Sequence, residues 1–209
     1  SMTTANHRWL VRHHGSGNWR WTTTEDLNSQ TRIPRGVCPG DAPQDAKYTD
    51  AFVELVAWWF TEGSYLSSGT RGGAISQSQR VNPAYCDRIR AALRSVCGPP
   101  SSGRPLTWVE DPERLNGVVV WRFGAELHKQ LAEVAPGKVP TIDFLDALTQ
   151  SQRRLFVDTA LDADGHVRRQ ASVLAQRDRA RAEAFATAAT LAGMAVTFNE
   201  WKMRGAPMY

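Results

Sequence analysis

Two apolar stretches of the chain each run into an acidic residue that glycine follows at once. Residues 55–63 have the sequence LVAWWFTEG, and residues 157–165 have the sequence VDTALDADG. Apolar and small side chains over two to three turns predict helices, and a following glycine can end a helix by taking the left-handed conformation. The pattern therefore predicts two apolar helices that end at Glu62 and Asp164.

An acid in the last turn of a helix is unfavourable, because its carboxylate faces the negative end of the helix dipole at a cost of roughly 0.3–1 kcal/mol. A pair of such acids suggests that something offsets this cost. Carboxylate oxygens are ligands that Mg²⁺ prefers, so Glu62 and Asp164 are candidate metal ligands. The alternative for each copy is an amphipathic helix that stops at glycine with an incidental acid.

Both helices have start signals, and the elements after them repeat. Asp50 is expected to N-cap the first helix, and residues 149–152 (TQSQ) form a capping-box pattern before the second. Strand-like residues come after each acid, up to residues 75–77 and across residues 166–176. Asn82-Pro83 then opens a helix that stops before Gly98, and Asp178 opens one that stops at Gly193. The repeated order of helix, strand pair and helix predicts two related halves.

Further elements complete this layout. A strand over residues 117–123 and a helix over residues 125–134 come next in the first half, and residues 136–140 (PGKVP) join it to the second. A strand over residues 195–201 and a partner starting near Pro207 close the chain. The first 36 residues alternate as strands do, around Trp9, Trp19 and Trp21. The predicted organisation is an N-terminal piece (1–36), a linker (37–46), and halves at 47–135 and 136–209.

Composition favours a nucleic-acid partner. The chain has 209 residues, 42% of them hydrophobic, a net charge of +4 and a pI near 9.2, which suits a polyanion. Cys38, Cys86 and Cys97 have no CxxC spacing, so neither a disulfide framework nor a zinc site is indicated. We therefore expect a reducing compartment and a cytoplasmic protein. No apolar run is long enough to predict a membrane span.

The two motifs resemble those of the LAGLIDADG homing endonucleases. Residues 158–165 (DTALDADG) match the family motif more closely, and residues 57–63 (AWWFTEG) match it more loosely, with Glu62 where aspartate is usual. The resemblance implies an α+β fold of two pseudo-symmetric αββαββ(α) halves with saddle-like antiparallel sheets. Residues 4–7 (TANH) resemble the TxxH motif of an intein splicing domain, so residues 1–36 are interpreted as a splicing-domain remnant beside an intein endonuclease.

The family resemblance also implies an activity. It is Mg²⁺-dependent cleavage of both strands of a long, asymmetric DNA target by a monomer, leaving 3′ overhangs, in a bacterial or phage-encoded protein. Mn²⁺ is expected to substitute, and Ca²⁺ to bind without supporting cleavage. Two alternatives remain open. One is a LAGLIDADG regulator or maturase-like protein that binds nucleic acid without cutting it, and the other is an unrelated metal hydrolase acting on a small molecule.

The resemblance assigns roles to named residues. Glu62 and Asp164 are the catalytic acids and, with Gly63 and Gly165, the metal ligands. Asp162, two residues from Asp164, lies about 200° away around a helix and is expected to be a solvated or pairing acid. Gln77 and Gln176 are candidates for ordering water, or are ordinary polar residues at strand ends. Arg122 and Lys202 are candidates for organising the nucleophilic water, or contact the DNA backbone or solvent.

Outward residues on the strands are the candidates for reading DNA, since arginine pairs with guanine and glutamine with adenine in the major groove. The alternative for each is a solvated surface side chain. Residues 177–181 (RDRAR) are expected to form a solvated helical cluster, with phosphate contact as the second choice. The candidate DNA-binding residues are Arg71, Gln79, Arg80, Arg168 and Gln170.

Overall fold

The chain divides into two compact units, Ser1–Val37 and Cys38–Tyr209. A computed structural model describes residues 4–13, 18–33, 42–66, 72–100, 106–168, 171–203 and 206–209. The first unit contains a three-stranded antiparallel sheet in the order β2-β1-β3, formed by β1 (Arg8–His13), β2 (Trp19–Thr23) and β3 (Thr31–Arg32). The strand-like alternation of this region therefore corresponds to real strands. The candidate acids belong to the second unit.

The first part of the second unit places a helix before a four-stranded antiparallel sheet in the order β4-β5-β7-β6. The predicted strand at 75–77 and the predicted helix over 125–134 are confirmed. The elements are α1 (Asp50–Glu62), β4 (Gly63–Tyr65), β5 (Gly73–Ser78), α2 (Pro83–Cys97), β6 (Trp108–Glu110), β7 (Val118–Phe123) and α3 (Ala125–Val134).

The remainder of the unit begins with a 3₁₀ turn at Pro136–Lys138. It continues with α4 (Ile142–Asp146), α5 (Gln150–Asp164), β8 (Gly165–Arg168), β9 (Ala171–Leu174), α6 (Arg179–Leu191), β10 (Trp201–Met203) and β11 (Ala206–Met208). The β8-β9 and β10-β11 pairs are antiparallel. A mixed helix and sheet fold with antiparallel sheets is thus confirmed. No helix in the described ranges is long and apolar enough to cross a membrane.

The predicted N-terminal cap is confirmed for α5 and corrected for α1. The predicted capping box of α5 is present, since Thr149 Oγ1 accepts from the Gln152 amide and the Gln152 side chain accepts from the Thr149 amide. The N-cap of α1, however, is Thr49, whose Oγ1 accepts from the Phe52 amide at 3.2 Å. Asp50 is instead the first helical residue, where the positive end of the helix dipole stabilises its negative charge.

One predicted strand was wrong. Residues 195–200 form no regular strand, and the strand begins only at Trp201. Val196 and Phe198 line an apolar cavity of about 310 Å³ together with Phe185, and Phe198 stacks on Tyr209 with ring centroids 6.0 Å apart. The apolar alternation of this segment therefore reflects separate side-chain contacts instead of a strand ladder.

Helices α1 and α5 pack side by side. They run in the same direction, since a hydrogen bond joins their N-terminal ends and the acids at their C-terminal ends interact. At their N-terminal ends, Gln152 Nε2 donates to Asp50 Oδ1 at 2.8 Å and to the Tyr48 carbonyl at 2.7 Å. Further along, the rings of Phe60 and Phe156 meet at 5.9 Å. The small residues Ala57, Thr159 and Ala160 of these two helices are all fully buried.

The two tryptophans of α1 point into its own half. Trp59 meets Phe123 of β7 edge-on at 5.6 Å, and Trp58 meets Tyr85 of α2 at 5.7 Å. Both tryptophans are at most 1% exposed. Because a buried tryptophan removes 150–250 Å² of surface from water, these two side chains anchor α1 to the sheet and to α2. The opposite side of α1 packs against α5.

Candidate metal-dependent active site

Glu62 and Asp164 lie at the adjoining C-terminal ends of α1 and α5. Each is the last residue of its helix. Glu62 is partly buried and Asp164 is exposed, and the Asp164 carboxylate is near enough to raise the pKa of Glu62. The parallel packing of the two helices thus brings together the two acids that the sequence singled out.

The glycines after the acids do not take the conformation that was predicted. Gly63 has φ −69° and ψ 148°, and Gly165 has φ −82° and ψ 162°, so both are extended and neither is left-handed. Each begins a strand directly, β4 in one case and β8 in the other. Glycine is required here by close approach: a Cβ on Gly63 would lie 2.3 Å from the Trp59 carbonyl oxygen, and one on Gly165 would lie 2.4 Å from that of Leu161.

We expect Gly165→Ala to lower the free energy of unfolding by about 1–3 kcal/mol, the usual cost of overpacking. The added methyl would also meet the Leu161 Cα at 2.8 Å, and backbone atoms cannot move aside as a side chain can. Thermal unfolding of the purified chain measures the effect. His166→Ala, at the next and exposed position of β8, is the matched control. Equal melting temperatures for the two variants would contradict this role of the glycine.

Two cations stabilise the end of α1 where the acid is unfavourable. Lys138 Nζ donates to the Gly63 carbonyl, and the Arg181 guanidinium donates to the Phe60 carbonyl. Carbonyls at a helix C-terminus have no partner within the helix and carry its negative dipole, so both contacts are favourable. Arg181 is thereby partly buried, and the expectation that residues 177–181 form only a solvated cluster was wrong for this residue.

These two basic residues have little signal in the sequence. Lys138 lies in the segment interpreted as a joining loop, 75 positions from its partner, and Arg181 lies 121 positions from its own. Lys138 has a φ of 67°, an uncommon conformation for a residue with a Cβ. Such outliers are concentrated at functional sites, so the backbone angle of Lys138 agrees with a role in the site, although the sequence does not show it.

The site holds opposite charges that perturb one another. Burial, and then the charge of Asp164, raise the pKa of Glu62 to about 7, against the attraction of Lys138. Burial, and then the charge of Arg181, lower the pKa of Lys138 to about 8, against the attraction of the two acids. Burial lowers the pKa of Arg181 as well. Strongly perturbed groups that face one another are typical of functional sites.

These pKa values predict how stability depends on pH in metal-free protein. Folded Glu62 holds its proton more tightly than the unfolded chain does, so the free energy of unfolding should fall as the pH rises from 4.5 to about 7. Folded Lys138 holds its proton less tightly, so stability should recover between about 8 and 10.5. Both signs follow from proton linkage.

Thermal unfolding from pH 4.5 to 7 in EDTA tests this expectation. Glu62→Gln should remove most of the fall in stability over this pH range. Glu126→Gln, at an exposed position of α3, should leave that fall unchanged. A pH dependence in Glu62→Gln that matches the wild type would contradict the assigned pKa.

The donor set fits a divalent cation of the Mg²⁺ or Mn²⁺ type. Two carboxylates converge, and the like charge of Asp164 raises the pKa of Glu62, a repulsion that a bound cation would relieve. No group of three or more His, Cys, Asp or Glu side chains suited to a metal occurs among the described residues. Mg²⁺ is commonly held by only one or two carboxylates, with water and substrate phosphate completing its shell. This site suits a cation that binds together with a phosphodiester.

Of the two glutamines assigned to water ordering, Gln176 adjoins the acids. Its Nε2 donates to Asp164 Oδ2 at 3.2 Å, and its backbone exchanges two 2.9 Å hydrogen bonds with Tyr209. The residue is 6% exposed and is well placed to orient the acid. Gln77 is hydrogen-bonded within its own turn, since its Oε1 accepts from the Ser78 amide and from Asn82 Nδ2.

The two basic residues chosen from the sequence have different surroundings. Arg122 is exposed on β7 and is ion-paired with Asp111, so much of its charge is neutralised. The backbone of Lys202 pairs with Pro207 in the β10-β11 hairpin, and its side chain lies outside the described atoms. Their roles beside the nucleophilic water stay predictions.

Asp162 is a pairing acid, as its position on the helix predicts. Arg88 of α2 donates to Asp162 Oδ2 at 2.6 Å, to Glu54 Oε1 at 2.7 Å and to Thr159 Oγ1 at 2.8 Å. One guanidinium therefore connects α1, α2 and α5. A network of this kind fixes the relative placement of the helices, and hence of the acids at their ends.

The candidate DNA-binding residues are described only in part. Gln79 accepts from Arg90 Nη2 at 2.8 Å and faces Glu110 and Asp111, which is an acidic setting for a phosphate. Arg80 is exposed in the turn after β5. The remaining three lie outside the described side chains: Arg71, Arg168 and Gln170.

Comparison with known proteins supports the fold. No protein-family model matches the sequence, and no curated protein is significantly similar to it. Among solved structures, the chain is similar to the crystal structure of I-DmoI in complex with DNA and Mn, with a TM-score of 0.55 and 9% sequence identity, over 76% of this chain and 87% of that one. I-DmoI is a two-motif LAGLIDADG homing endonuclease. At this identity the likeness establishes the fold: the chain has a mixed helix and sheet architecture similar to that of I-DmoI.

Proposed function

We propose that the chain is a site-specific endonuclease that cleaves both strands of duplex DNA, with Glu62 and Asp164 as its catalytic acids. The observation that carries this proposal is the convergence of the two carboxylates at the ends of parallel helices, within the fold of a homing endonuclease. The related structure contains DNA and Mn, which agrees with the donor set of this site. The net charge of +4 also favours DNA as the partner.

The chain's own residues have distinct tasks in this mechanism. Glu62 and Asp164 would hold divalent cations, Mg²⁺ in the first place, against the scissile phosphates. When bound, the metal supplies Lewis acidity, an activated water and stabilisation of the leaving 3′ oxygen. Gln176 orients the Asp164 carboxylate through its hydrogen bond.

Lys138 and Arg181 add fixed positive charge beside the acids. Their contacts with the carbonyls of Gly63 and Phe60 hold these side chains in place before DNA arrives. Charge that is already positioned stabilises the negative charge developing on the phosphate without a cost of reorganisation. We propose Lys138 as a basic residue that acts on the attacking water or on the phosphate, in addition to the candidates Arg122 and Lys202.

The repeated element order supports a pseudo-symmetric enzyme in a single chain. A helix, two strands and a helix come in sequence from α1 to α2 and from α5 to α6, and each repeat contributes one acid. A monomer with two non-identical halves recognises a long, asymmetric target, and staggered cuts would leave 3′ overhangs. The interpretation of residues 1–36 as a splicing-domain remnant stays a prediction.

A two-step DNA experiment tests the function. The full chain is first equilibrated with a randomised duplex library in Ca²⁺, bound DNA is recovered, and Mg²⁺ is then added and the new DNA ends are sequenced. We expect one enriched asymmetric sequence, cut on both strands. Sequence-specific binding without cutting would support the regulator or maturase-like alternative. An absence of binding would favour a hydrolase of small molecules.

A further inference from the structure

The sheet of the N-terminal unit presents one face on which tryptophan and arginine alternate. In the β1-β2 register Arg12 is opposite Trp19 and Leu10 is opposite Trp21, and Arg12 is also opposite Arg32 of β3. Directly opposed residues of antiparallel strands share a face. The basic aromatic face, as we name it, consists of Arg8, Leu10, Arg12, Trp19, Trp21 and Arg32.

This face is open, whereas the other face of the sheet is partly covered. Trp19 is 47% exposed, Trp21 is 60% exposed and Leu10 is 37% exposed, while Val11 on the opposite face is fully buried. Large exposed aromatic side chains that cluster on one surface mark an interaction site. The sheet therefore exposes two of its three tryptophans on the face that carries Arg8, Arg12 and Arg32.

The arginines are held on the tryptophan rings. The Arg12 guanidinium carbon lies 5.4 Å from the ring centroid of Trp19, and that of Arg8 lies 5.8 Å from the centroid of Trp21. A guanidinium that rests on an aromatic ring keeps its hydrogen-bond donors free for an anion. The three strands contain no aspartate or glutamate, so the face has the charge that a polyanion requires. The acids nearest in sequence, Glu25 and Asp26, lie in the turn after β2.

We propose that the basic aromatic face is a second DNA-binding surface, which takes the sugar-phosphate backbone of duplex DNA. This extends the proposed function, on which it rests for the choice of DNA as partner. Arg8 and Arg12 are four residues apart on β1, so their backbone positions are about 13 Å apart along the strand. Their long side chains let the two guanidiniums contact separate phosphates of one duplex. A single strand would need open rings for base stacking, and here a guanidinium covers one face of each ring.

The test uses the full chain and a non-specific duplex of about 60 base pairs in EDTA, where no cleavage occurs. We expect the double variant Arg8→Gln/Arg12→Gln to bind about 10–100-fold more weakly at 0.1 M salt. Its plot of log affinity against log salt should be shallower by about 1.8, or about 0.9 for each phosphate that is no longer neutralised. Arg8→Lys/Arg12→Lys keeps the charge and should restore most of the slope.

The control is Arg20→Gln, which removes one positive charge from the opposite face of the same sheet, since Arg20 is opposite Val11. Because the double variant removes two charges, its effect is compared per charge. If it changes log affinity and slope by no more than twice the change in Arg20→Gln, the proposal is overturned. It is also overturned if a single-stranded oligonucleotide of equal length displaces the duplex at lower concentration than unlabelled duplex does.

The two proposals fail in different ways. A wild-type chain that binds duplex through this face but cuts no DNA would overturn the nuclease alone. A chain that cuts DNA and binds it equally well without Arg8 and Arg12 would overturn the second surface alone. A wild-type chain that does not bind duplex DNA would overturn both.

Discussion

Glu62→Gln and Asp164→Asn should each reduce double-strand cleavage by at least about 10³-fold while changing DNA affinity only a few-fold. The amide keeps the shape of each side chain but removes the charge that holds a cation. The loss of metal-derived stabilisation amounts to several kcal/mol, with about 1.36 kcal/mol for each tenfold in rate. Cleavage of the selected target under single-turnover conditions measures the rate. Binding in Ca²⁺ measures the affinity separately.

Asp162→Asn is the control for this pair of variants. Asp162 lies two residues from Asp164 on the same helix but is ion-paired with Arg88. Arg88 keeps its hydrogen bonds to Glu54 and Thr159 in the variant. The helices therefore stay connected, and the cleavage rate should remain within a few-fold of wild type. Full cleavage by Glu62→Gln or by Asp164→Asn would falsify the two-acid assignment. A loss in Asp162→Asn as large as in Asp164→Asn would show that the wrong acid of α5 had been chosen.

Lys138→Met should reduce the cleavage rate by about 10²–10³-fold, the usual cost of removing one positioned electrostatic group from an active site. DNA affinity should change little, because one charge contributes little to the whole. The pH profile supplies a second readout. Since the attraction of Lys138 lowers the pKa of Glu62, its removal should shift the acidic limb of the cleavage profile to higher pH.

Lys129→Met is the matched control, because Lys129 is exposed on α3 and its removal should have little effect on cleavage. Arg122→Met offers a direct comparison with the basic residue chosen from the sequence, and its pairing with Asp111 predicts a smaller loss than that of Lys138→Met. An unchanged rate and pH profile in Lys138→Met would contradict its role in the site.

The parts of the site that depend on local order could be predicted from the sequence. The apolar stretches before Glu62 and Asp164, and the capping box at residues 149–152, determine the two helices and where they end. The adjacency of the acids does not follow from local order, because it depends on the packing of α1 on α5. The conformation of Gly63 and Gly165 was predicted wrongly. A glycine after a helix can take the left-handed conformation or can allow a close approach of the backbone. Only the strand that begins at each glycine shows that the second role applies here.

The features that the sequence did not predict depend on long-range contacts. Lys138 and Arg181 reach α1 from segments far along the chain, and their side-chain types are common on any surface. The short helix α4 was not predicted because five residues carry too little periodicity to separate a helix from a joining segment. The strand predicted over residues 195–201 was also wrong because of tertiary contacts. Val196 and Phe198 line a cavity, and their spacing does not reflect pairing with another strand.

Anomalous scattering from Mn²⁺ in crystals of the full chain with its selected duplex tests the two-acid metal site most directly. We expect Mn²⁺ peaks at the adjoining ends of α1 and α5, each within bonding distance of a Glu62 or Asp164 carboxylate oxygen and of a DNA phosphate oxygen. Peaks bound elsewhere on the chain, or DNA phosphates remote from both carboxylates, would contradict the proposed nuclease.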